Sequence, residues 1–477
     1  MQGFMLDSAR LLESRAYYRR FIDFIAPRGC DTLLWHFTDD QGCSLQFDSL
    51  PGCASPNAYT KDELRQLIAY ASSRGIMVIP ELETLGHTRY ITRASEDLAK
   101  LSENNEVFTA ICPVAPQTQT IIASLLDEVC DLFACPFVHV GMDEVNFGDH
   151  PLTQKALQNK TKSQLFADHL LFLHQHLKAH GKRMMMWADH IIKDPQIAAN
   201  LPRDVIMANW QYDPKVPWQT TQDLLDMDFE VVLCSAMISH AQVLYPGQSY
   251  ALPNLIETAR QTQLDPRVLG SIVTIWTPQR FLHDALWPAV DYAASLLRQQ
   301  RYVALFDTLP KLARSFYGFD PSPAWLRAMQ MLFDHMPKRK PWVDALCLVL
   351  SNSLLDVDLA EQTTRWQQVR DALTSQRSLV TREATAYDTL LLMSRLMAHV
   401  WQRAMLYQQD QCSAALLSES EAIEQELSDT WDHERFADDP RKTTPVFNFD
   451  LENHLGPMFA QGTERLRQKM KAGVCAM

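Results

Sequence analysis

Short apolar runs alternate with amphipathic stretches along the first 300 residues of the chain. Runs of apolar and β-branched residues closed off by Gly, Pro, Asp or Asn read as buried strands. Eight such runs occur in order, at 3–6, 32–37, 76–81, from 136, 183–187, 204–210, 229–234 and 271–276. The stretches between them carry helical spacing. The first helix is expected to be capped by Asp7 or Ser8 and to reach about Ile25, with Leu11, Leu12, Tyr18, Phe21 and Ile22 on its apolar face. Pro27 and Gly29 end it. Thr60 and Glu63 form a capping box ahead of a helix that stops at Gly75. Further helices are expected at 116–133, 163–180, 220–225, 254–263 and 284–297.

Strand–helix alternation of this kind predicts a parallel sheet. Eight units point to a closed (β/α)8 TIM barrel, residues 1–300, rather than an open doubly wound sheet. No GxGxxG or P-loop follows the first strand, which removes support for a nucleotide fold. Beyond about residue 301 the strand signal stops. Segments 302–317, 324–335, 342–355, 363–373, 378–409, 412–431 and 459–471 have helical spacing, so an all-α C-terminal domain is expected over 301–477. Its Trp and Met residues read as core. The polar segment 438–446 reads as a loop before the last helix.

Composition narrows the function classes. Hydrophobic residues make up 47% and charged residues 21%, ordinary for a globular protein. A net charge of −13 without a basic cluster argues against a nucleic-acid partner. Ten cysteines include no CxxC pair, so the cysteines suggest no zinc site; no cofactor is expected. No uncharged apolar stretch of about 18 residues predicts a membrane span. The first residues show neither a basic region nor a long apolar core, so a reducing, cytoplasmic setting is the default. Oligomeric state is left open.

A closed barrel brings the residues just after each strand to one rim. The first strand would contribute Asp7 and Arg10, the second His36, Asp39 and Asp40, and the third Glu81 and His87. The fourth would contribute Asp143 and Glu144, the fifth Trp187 and Asp189, the sixth Trp210 and Tyr212, and the eighth Trp276. Acids, one Arg, His and several Trp suit a neutral polyhydroxylated ligand. Sugar C–H faces stack on indole while hydroxyls pair with Asp and Arg. Metal sites use the same acids, but the Trp excess favours a small glycan or glycoside.

Three ordered motifs sharpen this. Leu34-Trp35-His36-Phe37-Thr38-Asp39-Asp40-Gln41-Gly42, Val78-Ile79-Pro80-Glu81 with Gly86-His87-Thr88, and His139-Val140-Gly141-Met142-Asp143-Glu144 resemble successive motifs of glycoside hydrolase family 20, the β-N-acetylhexosaminidases. The resemblance covers about residues 3–300. A helical C-terminal region in place of the family's usual N-terminal α+β domain looks most like the hexosaminidase D-type branch. The resemblance implies retention of configuration without a protein nucleophile: the substrate's 2-acetamido carbonyl attacks the anomeric carbon and gives an oxazolinium-type intermediate. Glu144 would be the general acid/base, with a raised pKa beside a charged Asp143 that orients the acetamide. Arg10 would bind ring hydroxyls, and Asp39 and His87 would support the catalytic pair. Trp187, Trp210 and Trp276 would wall the acetamide and the ring.

The chain departs from the pattern at several points. Cys43 stands where Trp often follows, and Met142 replaces a frequent Gly. The Tyr-x-Asp expected after the seventh strand is Cys234-Ser235-Ala236, leaving Tyr212 or Tyr245 to hold the acetamide carbonyl. Thr277-Pro278-Gln279 lacks the acid expected two positions after Trp276, so the choice between gluco and galacto sugars stays open. Two other readings compete: a barrel glycosidase using two separate carboxylates, such as Glu81 with Glu144, and a non-catalytic sugar-binding protein.

Overall fold

The computed structural model describes residues 1–103, 110–239, 244–276, 282–444 and 454–473. All eight expected strands are present: β1 (Gln2–Asp7), β2 (Thr32–His36), β3 (Met77–Glu81), β4 (Phe137–His139), β5 (Arg183–Trp187), β6 (Ile206–Trp210), β7 (Glu230–Ile238) and β8 (Val268–Ile275). They close into a barrel in the order β1-β8-β7-β6-β5-β4-β3-β2. The fold is the predicted (β/α)8 TIM barrel with a helical C-terminal region.

Register explains how the barrel makes a site. Asp7 pairs with His36, His36 with Glu81, and Glu81 with His139. Four polar residues from neighbouring parallel strands therefore share one row at the C-terminal rim. Two positions earlier, Met5 pairs with Leu34 and Leu34 with Ile79. Side chains two apart point to the same face. This dry row, with Met185, Ile206, Val232 and Ile272, fills the barrel beneath the polar row.

The longer helices that follow the strands are α1 (Arg15–Ile25), α2 (Lys61–Ser73), α3 (Pro116–Leu132), α4 (Lys162–Ala179), α5 (Trp218–Asp226), α6 (Ala251–Gln261) and α7 (Trp287–Gln299). The capping box of α2 forms as expected, with Thr60 accepting the Glu63 N–H and Glu63 accepting the Thr60 N–H. The start of α1 differs. Ser14 is its cap, not Asp7 or Ser8. The Asp7 carboxylate instead accepts the Arg10 backbone N–H at 3.0 Å, which fixes a turn where a helix was expected. Residues 277–279, where the acidic partner of Trp276 is missing, lie outside the described residues.

The chain divides into two compact units that interleave in sequence. The first comprises Met1–Ala236, Asn254–Trp276 and Leu296–Tyr302. The second comprises Met237–Pro253, Thr277–Ser295 and Val303–Met477, whereas the expected partition placed one boundary after residue 300. The second unit is helical, with Ala384–Gln408 as its longest helix. Its expected helix at 342–355 breaks where Leu348 adopts a left-handed φ of 54°, and resumes at Asn352–Leu355. Asp344 accepts the hydroxyls of Ser351 and Ser353 across that break.

Candidate active site

The turn after β1 aims Arg10 along the rim. Its guanidinium bonds Asp7 at 2.9 Å and Asp39 at 2.8 Å, and lies 5.0 Å from the centre of the Trp276 ring. Asp39 belongs to a short hairpin, Thr38–Asp39 against Gly42–Cys43, that grows directly out of β2. It also meets His36 Nε2 at 2.9 Å and His87 Nδ1 at 3.2 Å. Burial alone would raise the Asp39 carboxyl, but Arg10, then His87 and His36, hold it well below its ordinary value.

His87 carries this charge to the catalytic candidates. Its other nitrogen, Nε2, lies 3.6 Å from Asp143 Oδ2 and 3.4 Å from Glu144 Oε2. Burial pushes the imidazole down, yet Asp39, Asp143 and the bond to Glu144 outweigh it and leave His87 well above its ordinary value. His87 thus bridges Asp39 and the acidic pair, and these carboxylates favour its charged form.

The pair sits on a contorted segment. Gly141, Met142 and Glu144 have φ values of 67°, 80° and 49°. A left-handed conformation at a non-glycine residue costs on the order of 1–3 kcal/mol. Gly141 is required for a second reason: a Cβ there would lie 1.8 Å from Glu83 Oε2. Past the pair, the Val145 N–H donates to His190 Nε2 at 2.9 Å and anchors the loop.

The protonation order differs from the expectation. Asp143 is pushed up to about 7, first by burial and then by the Glu144, Asp189 and Glu81 carboxylates, against the pull of His87. Glu144 lies below its ordinary value, because the His87 hydrogen bond and charge, with Arg10, overcome its burial. Exposure explains the inversion: the side chain of Glu144 is 35% exposed and that of Asp143 only 13%. The unliganded site thus favours a proton on Asp143 over one on Glu144.

Beneath the pair, Glu81 accepts the Trp187 indole N–H at 2.7 Å and lies 3.0 Å from His36 Nδ1 and 3.4 Å from His139 Nδ1. It is completely buried. Although burial raises its carboxyl, the neighbouring His36 and His139 bring it below its ordinary value. A carboxylate enclosed in this way cannot reach an anomeric carbon, which removes the Glu81–Glu144 alternative. Glu83 was not singled out from sequence. It is buried and raised well above its ordinary value, first by burial and then by Asp143. Its signal was the Glu-x-Glu spacing past β3, legible only once Gly141 is seen against its carboxyl.

The aromatic candidates divide. Trp187 is fully buried in the barrel, 6.2 Å from Trp276 between ring centres, and supports the floor instead of forming an open wall. Trp210 and Trp276 are half-buried. Trp276 donates its indole N–H to the Tyr212 hydroxyl at 2.9 Å, and the Tyr212 ring lies 5.1 Å from Trp210. Tyr245 packs against Phe333 in the helical unit. Arg10, Asp39, His87, Asp143, Glu144, Trp187, Trp210, Tyr212 and Trp276 all belong to the barrel unit.

Three triads here have ligand atoms close enough for a cation: His36, Glu81 and Glu83; Asp39, Asp40 and His87; and His87, Asp143 and Glu144. In these triads His36 lies 3.0 Å from Glu81, and His87 lies 3.2 Å from Asp39, 3.6 Å from Asp143 and 3.4 Å from Glu144. Among the described residues no helix is long and apolar enough to cross a membrane.

Residues 1–277 match the model of glycosyl hydrolase family 20, catalytic domain. The chain belongs to that family. A family 20 exo-β-N-acetylglucosaminidase from Vibrio harveyi, solved with N-acetylglucosamine, shares 24% identity at a TM-score of 0.54 over 65% of this chain and 56% of that one. The Flavobacterium johnsoniae chitobiase shares 19% identity at a TM-score of 0.54, over 90% of this chain and 75% of its own. A β-hexosaminidase of Vibrio furnissii is 26% identical over 58% of this chain and 52% of its own length. The β subunit of human β-hexosaminidase is 30% identical over 31% of this chain and 28% of its own. The chain thus spans about half, or less, of the curated relatives it matches.

Proposed function

We propose that this family 20 chain is an exo-acting, retaining β-N-acetylhexosaminidase that removes terminal β-linked GlcNAc or GalNAc by substrate-assisted catalysis. The observation that carries the reading is Asp143 Oδ1. It is buried and accepts no hydrogen bond in the structure, and the next residue is the more exposed carboxyl of Glu144. An acetamide N–H fills that position. Leaving such an acceptor without a donor costs about 1–3 kcal/mol.

Substrate reverses the protonation order. The sugar covers Glu144 and removes its access to water, which raises its pKa. The acetamide N–H meanwhile stabilises Asp143 as the anion. The proton passes to Glu144, as the chemistry requires. The acetamide carbonyl oxygen then attacks C1, the C1–O bond to the aglycone breaks, and Glu144 protonates the departing oxygen. Asp143 offsets the charge of the oxazolinium. Water next gives a proton to the Glu144 carboxylate and attacks C1, so the ring opens and the acetamide is restored. Arg10, fixed by Asp7 and Asp39, addresses ring hydroxyls. Trp276 and Trp210 provide the stacking walls, and Tyr212 is the hydroxyl available to the acetamide carbonyl.

Branch, compartment and partner class complete the proposal. The helical C-terminal region supports the hexosaminidase D-type branch. Nine described cysteines are free thiols, which supports a reducing, cytoplasmic setting. The partner class is a small glycan or glycoside. The test is release of a chromogenic aglycone from β-linked N-acetylglucosaminide and N-acetylgalactosaminide, with competitive inhibition by a thiazoline mimic of the oxazoline. Well-folded protein inactive on both sugars would refute the reading and favour the sugar-binding alternative.

A further inference from the structure

We propose that the barrel carries a divalent-metal site on the face opposite the catalytic rim, formed by Asp127, His176 and His180, and that it takes Zn²⁺ or a first-row ion of similar preference. His176 lies in the last turn of α4 and His180 caps that helix. Residues four apart stand on one helix face, and their rings are 5.1 Å apart between centres. Asp127 reaches across from α3, and its Oδ1 receives both imidazoles. His176 Nε2 is 2.8 Å away and His180 Nε2 is 2.9 Å away. The three ligand atoms lie within 4.8 Å of one another.

Two imidazoles and one carboxylate are the donor set of many zinc sites, with a fourth position left to water. Zinc holds nitrogen and oxygen at about 2.0–2.1 Å, so tetrahedral ligand atoms stand roughly 3.3 Å apart. The present separations are shorter, with both Nε2 atoms directly against Asp127 Oδ1. An ion between them needs the ligands to spread by about half an ångström, within the reach of side-chain torsions. Entry is open, since the three side chains are 20%, 32% and 50% exposed for His176, His180 and Asp127.

Position gives the site a purpose. The C-terminal end of α4 turns through Gly181 into β5, so the cluster lies at the N-terminal face of the barrel, which governs stability rather than chemistry. Helices α3 and α4 flank β4 in sequence, the strand whose following loop carries Asp143 and Glu144. An ion bound here would clip those two helices together at their bases and leave the active site untouched.

The test uses the tag-free full chain. Titration with Co²⁺, read by its tetrahedral d–d absorption, and with Zn²⁺, read by calorimetry and melting temperature, should show one saturable ion and a stabilised fold. His176→Gln keeps a donor toward Asp127, so the metal-free variant should melt as wild type does. Its affinity should fall more than a hundredfold, beyond the roughly 10–100-fold that losing an outer partner costs, and His180→Ala should do the same. Absence of saturable binding to wild type would overturn the proposal. So would an ion that binds both variants as tightly as wild type, because it would then lie elsewhere.

Discussion

Replacing Asp143 with Asn should make the protein more stable while removing most of its activity, and the gain should grow with pH. In the folded chain burial and neighbouring carboxylates lift this group from 3.8 to about 7. An unfolded chain ionises it near pH 4, whereas the fold keeps it protonated until about pH 7. Between those values the unfolded state releases a proton that the native state retains, so stability drops as pH rises and levels off above pH 7. The full penalty corresponds to about 4 kcal/mol at 1.36 kcal/mol per decade of proton affinity. The side chain is only 13% exposed, so solvent screens little of it. His87 loses one anionic partner in the substitution, which returns part of the gain. We therefore expect Asp143→Asn to stabilise by about 2–4 kcal/mol at pH 8 and by less than about 1 kcal/mol at pH 4. Urea midpoints of wild type and variant at both pH values, followed by tryptophan fluorescence, measure this directly. A shift of the same size at both pH values, or destabilisation at pH 8, would refute the assignment of the buried proton to Asp143.

Glu144→Gln should reduce turnover of substrates with poor leaving groups by about 10²–10⁴-fold, the ordinary contribution of a general acid. Substrates with activated aglycones should lose far less, which a leaving-group series reads out. Tyr212→Phe should lower kcat/KM about tenfold, equivalent to one hydrogen bond of about 1.4 kcal/mol, with little change in melting temperature. Thr60→Ala removes the reciprocal cap of α2 and should cost about 1 kcal/mol in the denaturation midpoint without changing kcat.

Much of the barrel is legible because strand and helix punctuation is local. The β5 run Arg183–Trp187 and the capping box at Thr60 and Glu63 are written in adjacent residues. Where side chains bond backbone nearby, the periodic pattern misleads: Asp7 captures the Arg10 N–H, so residues that look like a first helical turn form the bend that aims Arg10. The rim candidates were legible from topology alone, since closing eight strands brings their ends together. Their inequality was not. Trp187 looked like a sugar wall, yet its indole is held by Glu81 inside the barrel. Glu144 looks like the protonated partner in sequence, yet burial lifts Asp143 while solvent access and His87 keep Glu144 below its ordinary value. Such effects depend on distances of 3–4 Å between residues tens of positions apart, which no local pattern encodes.

The central claim is that the substrate's own acetamide is the nucleophile. Comparing kcat/KM for an aryl β-N-acetylglucosaminide and N-acetylgalactosaminide with the matching glucoside and galactoside, which lack the 2-acetamido group, tests it most directly. Cleavage of one or both N-acetyl sugars, with the parent glycosides at background, is the predicted result. Comparable cleavage of the parent glycosides would contradict the account, because Asp143 and Glu144 would then be working without the group they are arranged to hold.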